Sequence, residues 1–184
     1  MTDLTILGIA GSLRERSLSK ALLRAMQELA PEGLTLESAD IGALPLYDQD
    51  LDSDGERPDA VEAFKEAITT ADGVLIVTPE YNHSVPGVLK NAIDWGSRPG
   101  FRAPFTHKPV AFAGISQGAH GAARAQIHLE NILLGMLSVP FPHRGVAVGG
   151  APAKFDEQLR LSDEPTRDFV AAFLLQYREW LRAR

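Results

Sequence analysis

Three stretches of this 184-residue chain crowd small and polar side chains in patterns that suit ligand chemistry. The first is Pro79-Glu80-Tyr81-Asn82-His83-Ser84. Tyr81 offers a flat apolar face, Asn82 an amide that both donates and accepts, and Glu80 an acceptor or counter-charge. A flat heterocycle with amide-like edges would use all three. The second is Gly11-Ser12-Leu13-Arg14-Glu15-Arg16-Ser17-Leu18-Ser19. Small hydroxyl residues leading into a helix offer unpaired N–H groups and a positive dipole end, which suits a phosphate. Arg14 and Arg16 could add charge-assisted bonds to its oxygens. The same residues also read as an ordinary helix start, with Ser17 or Ser19 capping the first turn and the arginines solvated. The third stretch, Gly114 to Gly121, contains Gly114-x-Ser116-x-Gly118, the spacing of a hydrolase nucleophile elbow. That chemistry needs an acid and a histidine after the serine. His128 lies inside a helical pattern and His143 between Pro142 and Arg144, and no lipase-type oxyanion loop is visible.

Each stretch follows an apolar run that reads as a strand. Leu4 to Ala10 and Pro109 to Ile115 are short apolar runs, and Val74 to Val77 is an unbroken apolar run rich in β-branched residues, the pattern of a strand buried on both faces of a parallel sheet. Leu34 to Ile41 alternates as a more exposed edge strand, and Gly145 to Gly149 supplies the last. Helical spacing is met by Leu18, Leu22, Leu23, Met26 and Leu29, by Val61, Phe64 and Ile68, by Val88 to Trp95 after Pro86-Gly87, and by Ala122 to Leu137. The closing helix runs from Asp163 to Leu181, with Phe169, Val170, Phe173, Leu174 and Tyr177 facing the sheet. The expected architecture is α/β, a five-stranded parallel sheet of order 2-1-3-4-5 with helices on both faces. In that order the loops after the first, third and fourth strands converge at one sheet edge, where ligands of open α/β sheets bind. The apolar residues of 122–137 wrap beyond one stripe, so that helix is expected to be covered on a second side, by its own loops or by another copy of the chain. The loop 43–55 carries four Asp and reads as solvated surface, and the loop 96–108 as a wall of the site or a subunit contact.

With 45% hydrophobic and 23% charged residues the chain reads as one globular domain over 1–184. Net charge is −6 with scattered basic residues, which argues against a nucleic-acid surface. No run approaches the ~20 apolar residues of a membrane span, and the first residues carry no signal-peptide pattern, so a cytoplasmic setting is expected. There is no Cys, which removes thiol nucleophiles and cysteine-ligated clusters; redox chemistry would need a bound cofactor. The five His show no ligand spacing, and no metal is expected.

The segment Thr78 to Trp95 resembles, almost residue for residue, the flavin-contacting loop and following helix of the NADPH-dependent FMN reductase family. In the first loop the family's Gly-Ser-Leu-Arg, two variable residues and Ser are met by Ser12, Arg14 and Ser17, with Ser19 where Asn is usual. The resemblance runs from the first strand through the final helix and implies a flavodoxin-like three-layer sandwich. It implies FMN as cofactor and NADPH or NADH as electron donor. It also implies that Ser12, Arg14, Ser17, Leu18 and Ser19 wrap the FMN phosphate, and that Pro79, Glu80, Tyr81 and Asn82 together with Ser116, Gln117 and Gly118 hold the ring. The implied reaction is ping-pong hydride transfer through flavin N5 to a small acceptor such as a quinone, chromate, an azo compound or free flavin. Such chemistry belongs to the cofactor, so no side chain is named as catalytic acid or base. Homodimers or dimers of dimers, built on the helix after Pro86 and the helix 122–137, follow from the same resemblance. The rival within this fold is a flavodoxin-type electron carrier that uses no nicotinamide; the Ser-Leu-Arg loop and the modest net charge speak against it.

Overall fold

The computed structural model describes residues 3–53 and 57–184. Its architecture grows from β3 (Gly73–Thr78), where every residue is buried. Successive side chains of a strand point to opposite faces. Leu75 and Val77 accordingly join one apolar cluster, and Val74 and Ile76 the other. Burial of each is worth about 1.5–3 kcal/mol, which is why an unbroken β-branched run belongs at the sheet centre. β1 (Leu4–Ala10) pairs in parallel with β3 on one side and with β2 (Leu34–Ala39) on the other. β4 (Pro109–Ile115) flanks β3 on the far side, Val74 lying opposite Val110. The order 2-1-3-4-5 expected from the sequence is observed.

One face is covered by α1 (Leu18–Glu28) and α5 (Glu164–Arg182), the other by α2 (Asp59–Thr70), α3 (Gly87–Gly96) and α4 (Ala123–Gly135). α5 is fastened by Tyr177, whose buried hydroxyl donates to the carbonyls of Val74 and Pro109, each at 3.1 Å. The two bonds are alternatives for a single proton. A Cβ at Gly73 would come within 2.4 Å of that oxygen. α3 holds the loop over 43–53: Asn91 Nδ2 and Trp95 Nε1 both donate to the Pro45 carbonyl at 2.8 Å, and Asn91 Oδ1 accepts from the Tyr47 amide.

The structure amends several sequence expectations. The fifth strand position is shared by two short segments, β5 (Val139–Pro140) and β6 (Val146–Val148), because the chain between them bulges out while β4 advances only from Val110 to Ala113. Pro140 and Pro142 lack ladder N–H groups. The bulge seats Phe141 against Phe173, Tyr177 and Trp180, with centroids 5.2–5.8 Å apart. Asp52 is not solvated: it pairs with Arg57 and lies 3.7 Å from the buried Lys65 amine. Part of that Asp-rich loop, residues 54–56, lies outside the described residues. Of the two Phe in 96–108, Phe105 is core and Phe101 is exposed. Phe169 is half exposed, since α5 presents Val170, Phe173, Leu174 and Tyr177 inward instead. On α4, Leu129 and Leu133 are buried, while Ile127 and Leu134 remain 59% and 54% exposed.

Candidate functional site

The loops after β1, β3 and β4 meet over a cavity of about 320 Å³ at the carboxyl edge of the sheet. Gly11 ties the first of them down, its amide donating to the Val77 carbonyl at 2.8 Å. A Cβ on Gly11 would press on Leu89 at 2.9 Å, so glycine permits this approach to α3. The loop then turns into α1. Ser17 is the N-cap residue, accepting from the Lys20 amide at 3.3 Å, so the capping alternative is realised; Ser17 nonetheless lines the cavity. Leu18 and Ser19 open the helix beside it, where amides have no intrahelical acceptor. The Ser19 hydroxyl is buried with no hydrogen-bond partner in the protein. Ser12 and the exposed Arg14 complete this end of the cavity.

The loop after β3 is a tight hairpin. Tyr81 and Ser84 exchange both backbone hydrogen bonds at 3.0 Å, leaving Asn82 and His83 as central residues with φ of 51° and 65°, the signs of a two-residue turn of the I′ kind. His83 itself has φ 65°. Asn suits the first position; His at the second carries strain that glycine would not. Pro79, Glu80 and the half-exposed Tyr81 line the cavity. Asn82 does not: it is exposed at the turn tip, where its residue type serves the backbone conformation. The Glu80 carboxylate is not a free acceptor either. Its Oε2 accepts from the amides of Arg124 at 3.0 Å and Ala125 at 3.3 Å, and Oε1 lies 3.6 Å from the Arg124 guanidinium. Ala122 at the start of α4 has no capping side chain, so Glu80 caps that helix from across the site.

The loop after β4 is pinned to β6 and the turn beyond it. Ser116 N donates to the Val148 carbonyl at 3.0 Å, Ala151 N to the Ser116 carbonyl at 3.1 Å and Gly150 N to the Gly118 carbonyl at 3.0 Å. At Gly114 a Cβ would meet the Gly121 carbonyl at 2.3 Å, so the fold-back of this loop requires glycine. Gly118 differs: a Cβ there would meet no protein atom within 4 Å. Ser116 Oγ donates to the Gly118 carbonyl at 2.9 Å, and no described histidine bonds it. His128 bonds Ser84 and His143 lies on the β5–β6 bulge, so the hydrolase reading has no base. Ser116, Gln117 and Gly118 form the remaining wall, together with Ile115, which the sequence reading missed; as the last residue of a buried strand it carries no polar signal. Among the described residues there is no group of three or more potential metal ligands, and no helix is long and apolar enough to cross a membrane.

The site thus has a helix N-terminus with an unpartnered hydroxyl and a cation at one end, and a slot between two backbone-rigid loops at the other. An elongated ligand with a phosphate and a flat ring fits both. A parallel sheet of this order with such a site defines the class of flavodoxin-like, mononucleotide-binding α/β proteins. Comparison with known proteins is more specific. Residues 4–153 match the family model described as NADPH-dependent FMN reductase. An NAD(P)H-dependent FMN reductase of Pseudomonas aeruginosa is 44% identical over 180 residues, 98% of this chain and 96% of the relative. A 2-hydroxy-1,4-benzoquinone reductase of a Burkholderia species is 42% identical, covering 98% of each chain. Among solved structures, FerB, a flavoenzyme NAD(P)H:(acceptor) oxidoreductase from Paracoccus denitrificans, superposes with a TM-score of 0.89 at 36% identity over 98% of both chains. The chain belongs to the NADPH-dependent FMN reductase family, and with it to the flavin-dependent oxidoreductases.

Proposed function

We propose that this protein is an NAD(P)H-dependent FMN enzyme that passes two electrons to a quinone-type acceptor, and that the cavity between the three loops is its flavin seat. The observation that carries the reading is the pairing, in one cavity, of the orphaned Ser19 hydroxyl at the α1 N-terminus with a slot walled by Tyr81 and by Ser116 to Gly118. When bound, FMN would supply the redox chemistry, acceptance of a hydride from the nicotinamide and transfer of two electrons to the acceptor. The protein holds it. Ser12, Arg14, Ser17 and the amides of Leu18 and Ser19 grip the phosphate, with the Ser19 hydroxyl gaining the partner it lacks. Pro79, Glu80 and Tyr81 present backbone and one aromatic face to the ring, and Asn82 shapes their turn. Ser116, Gln117 and Gly118 take the opposite wall, where Gly118 leaves room for the ring to lie close to the backbone. Glu80 acts at one remove, by locking this loop to α4.

Quinones are favoured as acceptors because relatives covering nearly the whole chain are named quinone reductases, among them one of Escherichia coli at 38% identity. The exposed Ile127 and Leu134 of α4 line a groove of about 730 Å³ beside the β5–β6 bulge. A second copy of the chain seated there, in a dimer or dimer of dimers, would remove this apolar surface from water. A single-domain protein in the cytoplasm, where reduced nicotinamide is available, completes the reading. The test is the visible spectrum of the purified protein before and after anaerobic NADPH or NADH. Flavin bands that bleach support the proposal. Bound FMN that neither nucleotide bleaches makes the chain an electron carrier, and a protein that stays colourless with added FMN overturns the flavin seat.

A further inference from the structure

A second cavity, about 280 Å³, adjoins the first and shares Arg14, Leu18 and Gln117 with it. Its other walls are Arg16, Pro152, Phe155, Asp156 and Leu159. The charge balance is unusual. Among the described residues neither Arg14 nor Arg16 pairs with a carboxylate; Arg16 Nη2 donates only to the Glu157 carbonyl, at 3.0 Å. Asp156, the single carboxylate lining the cavity, is turned to its own loop. It accepts from the amides of Gln158 at 3.0 Å and Arg160 at 2.8 Å, and from Arg160 Nε at 2.7 Å. These bonds, the Arg160 amide foremost, hold its carboxyl below the usual range, so it stays ionised and committed.

The loop is also built rigidly. Phe155 and Leu161 bridge across it, Asp156 N donates to the Arg160 carbonyl, and Leu159 is held at φ 58°, a left-handed conformation that leucine rarely adopts. Strain of this kind persists where surrounding bonds over-determine it, and it gathers at ligand sites. The result is an apolar floor of Leu18, Pro152, Phe155 and Leu159 under two uncompensated guanidinium groups, opening on the flavin seat along Gln117.

We propose that this cavity receives the adenosine 2′-phosphate end of the reducing nucleotide, with Arg16 as the residue that selects NADPH over NADH. The inference rests on the flavin reading above: a nicotinamide that delivers hydride must reach the flavin in the first cavity, which leaves the rest of the dinucleotide to find a seat within reach. A purine lies on the apolar floor. The phosphomonoester dianion takes the planar donor fork of Arg16, which NADH cannot use. Arg14 serves the FMN phosphate from the same wall, so the added selectivity belongs to Arg16.

The test titrates the FMN-loaded full-length protein with adenosine 2′,5′-bisphosphate and with 5′-AMP by calorimetry. Loss of a charge-assisted bond corresponds to about tenfold in affinity. The wild type should bind the bisphosphate about tenfold more tightly than AMP. Arg16→Ala should bring the two within about twofold, and Arg16→Lys, a point charge without the fork, should fall between. Arg16 is exposed and bonded to one carbonyl, so the variants should fold and keep the wild-type flavin spectrum. Equal binding of the two probes by the wild type, or an unchanged ratio in Arg16→Ala, would overturn the assignment. Failure of the flavin reading looks different: neither NADPH nor NADH would then bleach the protein. Bleaching by both without a 2′-phosphate preference would refute the role of Arg16 alone.

Discussion

Replacing Ser19 with alanine should move two properties in opposite directions. In the protein without cofactor the Ser19 hydroxyl is buried and bonded to nothing, which costs about 1–3 kcal/mol of unrecovered hydration. Alanine removes that cost and adds up to about 0.5 kcal/mol of helix propensity near the start of α1. The apoprotein should therefore gain about 1–2 kcal/mol, a rise of roughly 2–8 °C in Tm for a chain of this size. On the proposed flavin seat the same substitution would delete a hydrogen bond to a charged phosphate, worth about 1.5–3 kcal/mol, so FMN should bind about ten to a hundred times more weakly. Urea and thermal unfolding of flavin-stripped protein give the first quantity. Quenching of free FMN fluorescence on titration with apoprotein gives the second. A hydroxyl with a purely structural role would show the reverse of the first effect and none of the second. An apoprotein destabilised by Ser19→Ala, or an FMN Kd within about twofold of wild type, would refute the reasoning.

Glu80→Ala removes the cap that Arg124 and Ala125 amides receive across the site and should lower apoprotein stability by about 1–2 kcal/mol; Glu80→Gln, which keeps an acceptor, should recover part of it in thermal unfolding. His83→Gly replaces a β-carbon held at φ 65° in a two-residue turn and should stabilise by about 0.5 kcal/mol in urea titrations, a gain limited by the entropy glycine loses on folding. Burial lowers the pKa of His143 from its ordinary 6.5, and its Nδ1 accepts from the Gly145 amide at 3.1 Å, a bond only the unprotonated nitrogen can make. The unfolded chain then binds the proton more readily than the folded one, so this contribution is present above pH 6.5 and is lost as pH falls through the depressed folded value. His143→Asn keeps an acceptor but cannot titrate; urea midpoints between pH 7.5 and 5 should show a shallower fall than wild type, and an equally steep fall would exclude His143 as the cause.

The strands β1, β3 and β4 and the helices after them were legible in the sequence because hydrophobic periodicity and proline-glycine punctuation are local signals, carried within ten or so residues. So were the loops that wall the cavity, since a strand of this type must end in a loop at the carboxyl edge of the sheet. All but Asn82 of the residues singled out for the site line one cavity. Asn82 sits instead at the turn tip with φ 51°, and an amide that tolerates positive φ and an amide that binds a ring are the same letter. What only the tertiary structure decided are matters of partnership across distance. Glu80 finds its acceptor role 44 residues away at a helix start with no cap of its own. Asp52, one of several acids in a polar loop, is drawn under cover by Arg57. The fifth strand is split around a bulge whose Phe141 packs on Phe173, Tyr177 and Trp180 of α5, partners far along the chain. The second cavity arises where a loop near residue 156 meets one near residue 16, and the orphaned state of Ser19 depends on every atom around it. Periodicity along a chain reports which way a residue faces; hydrogen-bond satisfaction and charge compensation are properties of a neighbourhood, and the neighbourhood exists only once the chain has folded.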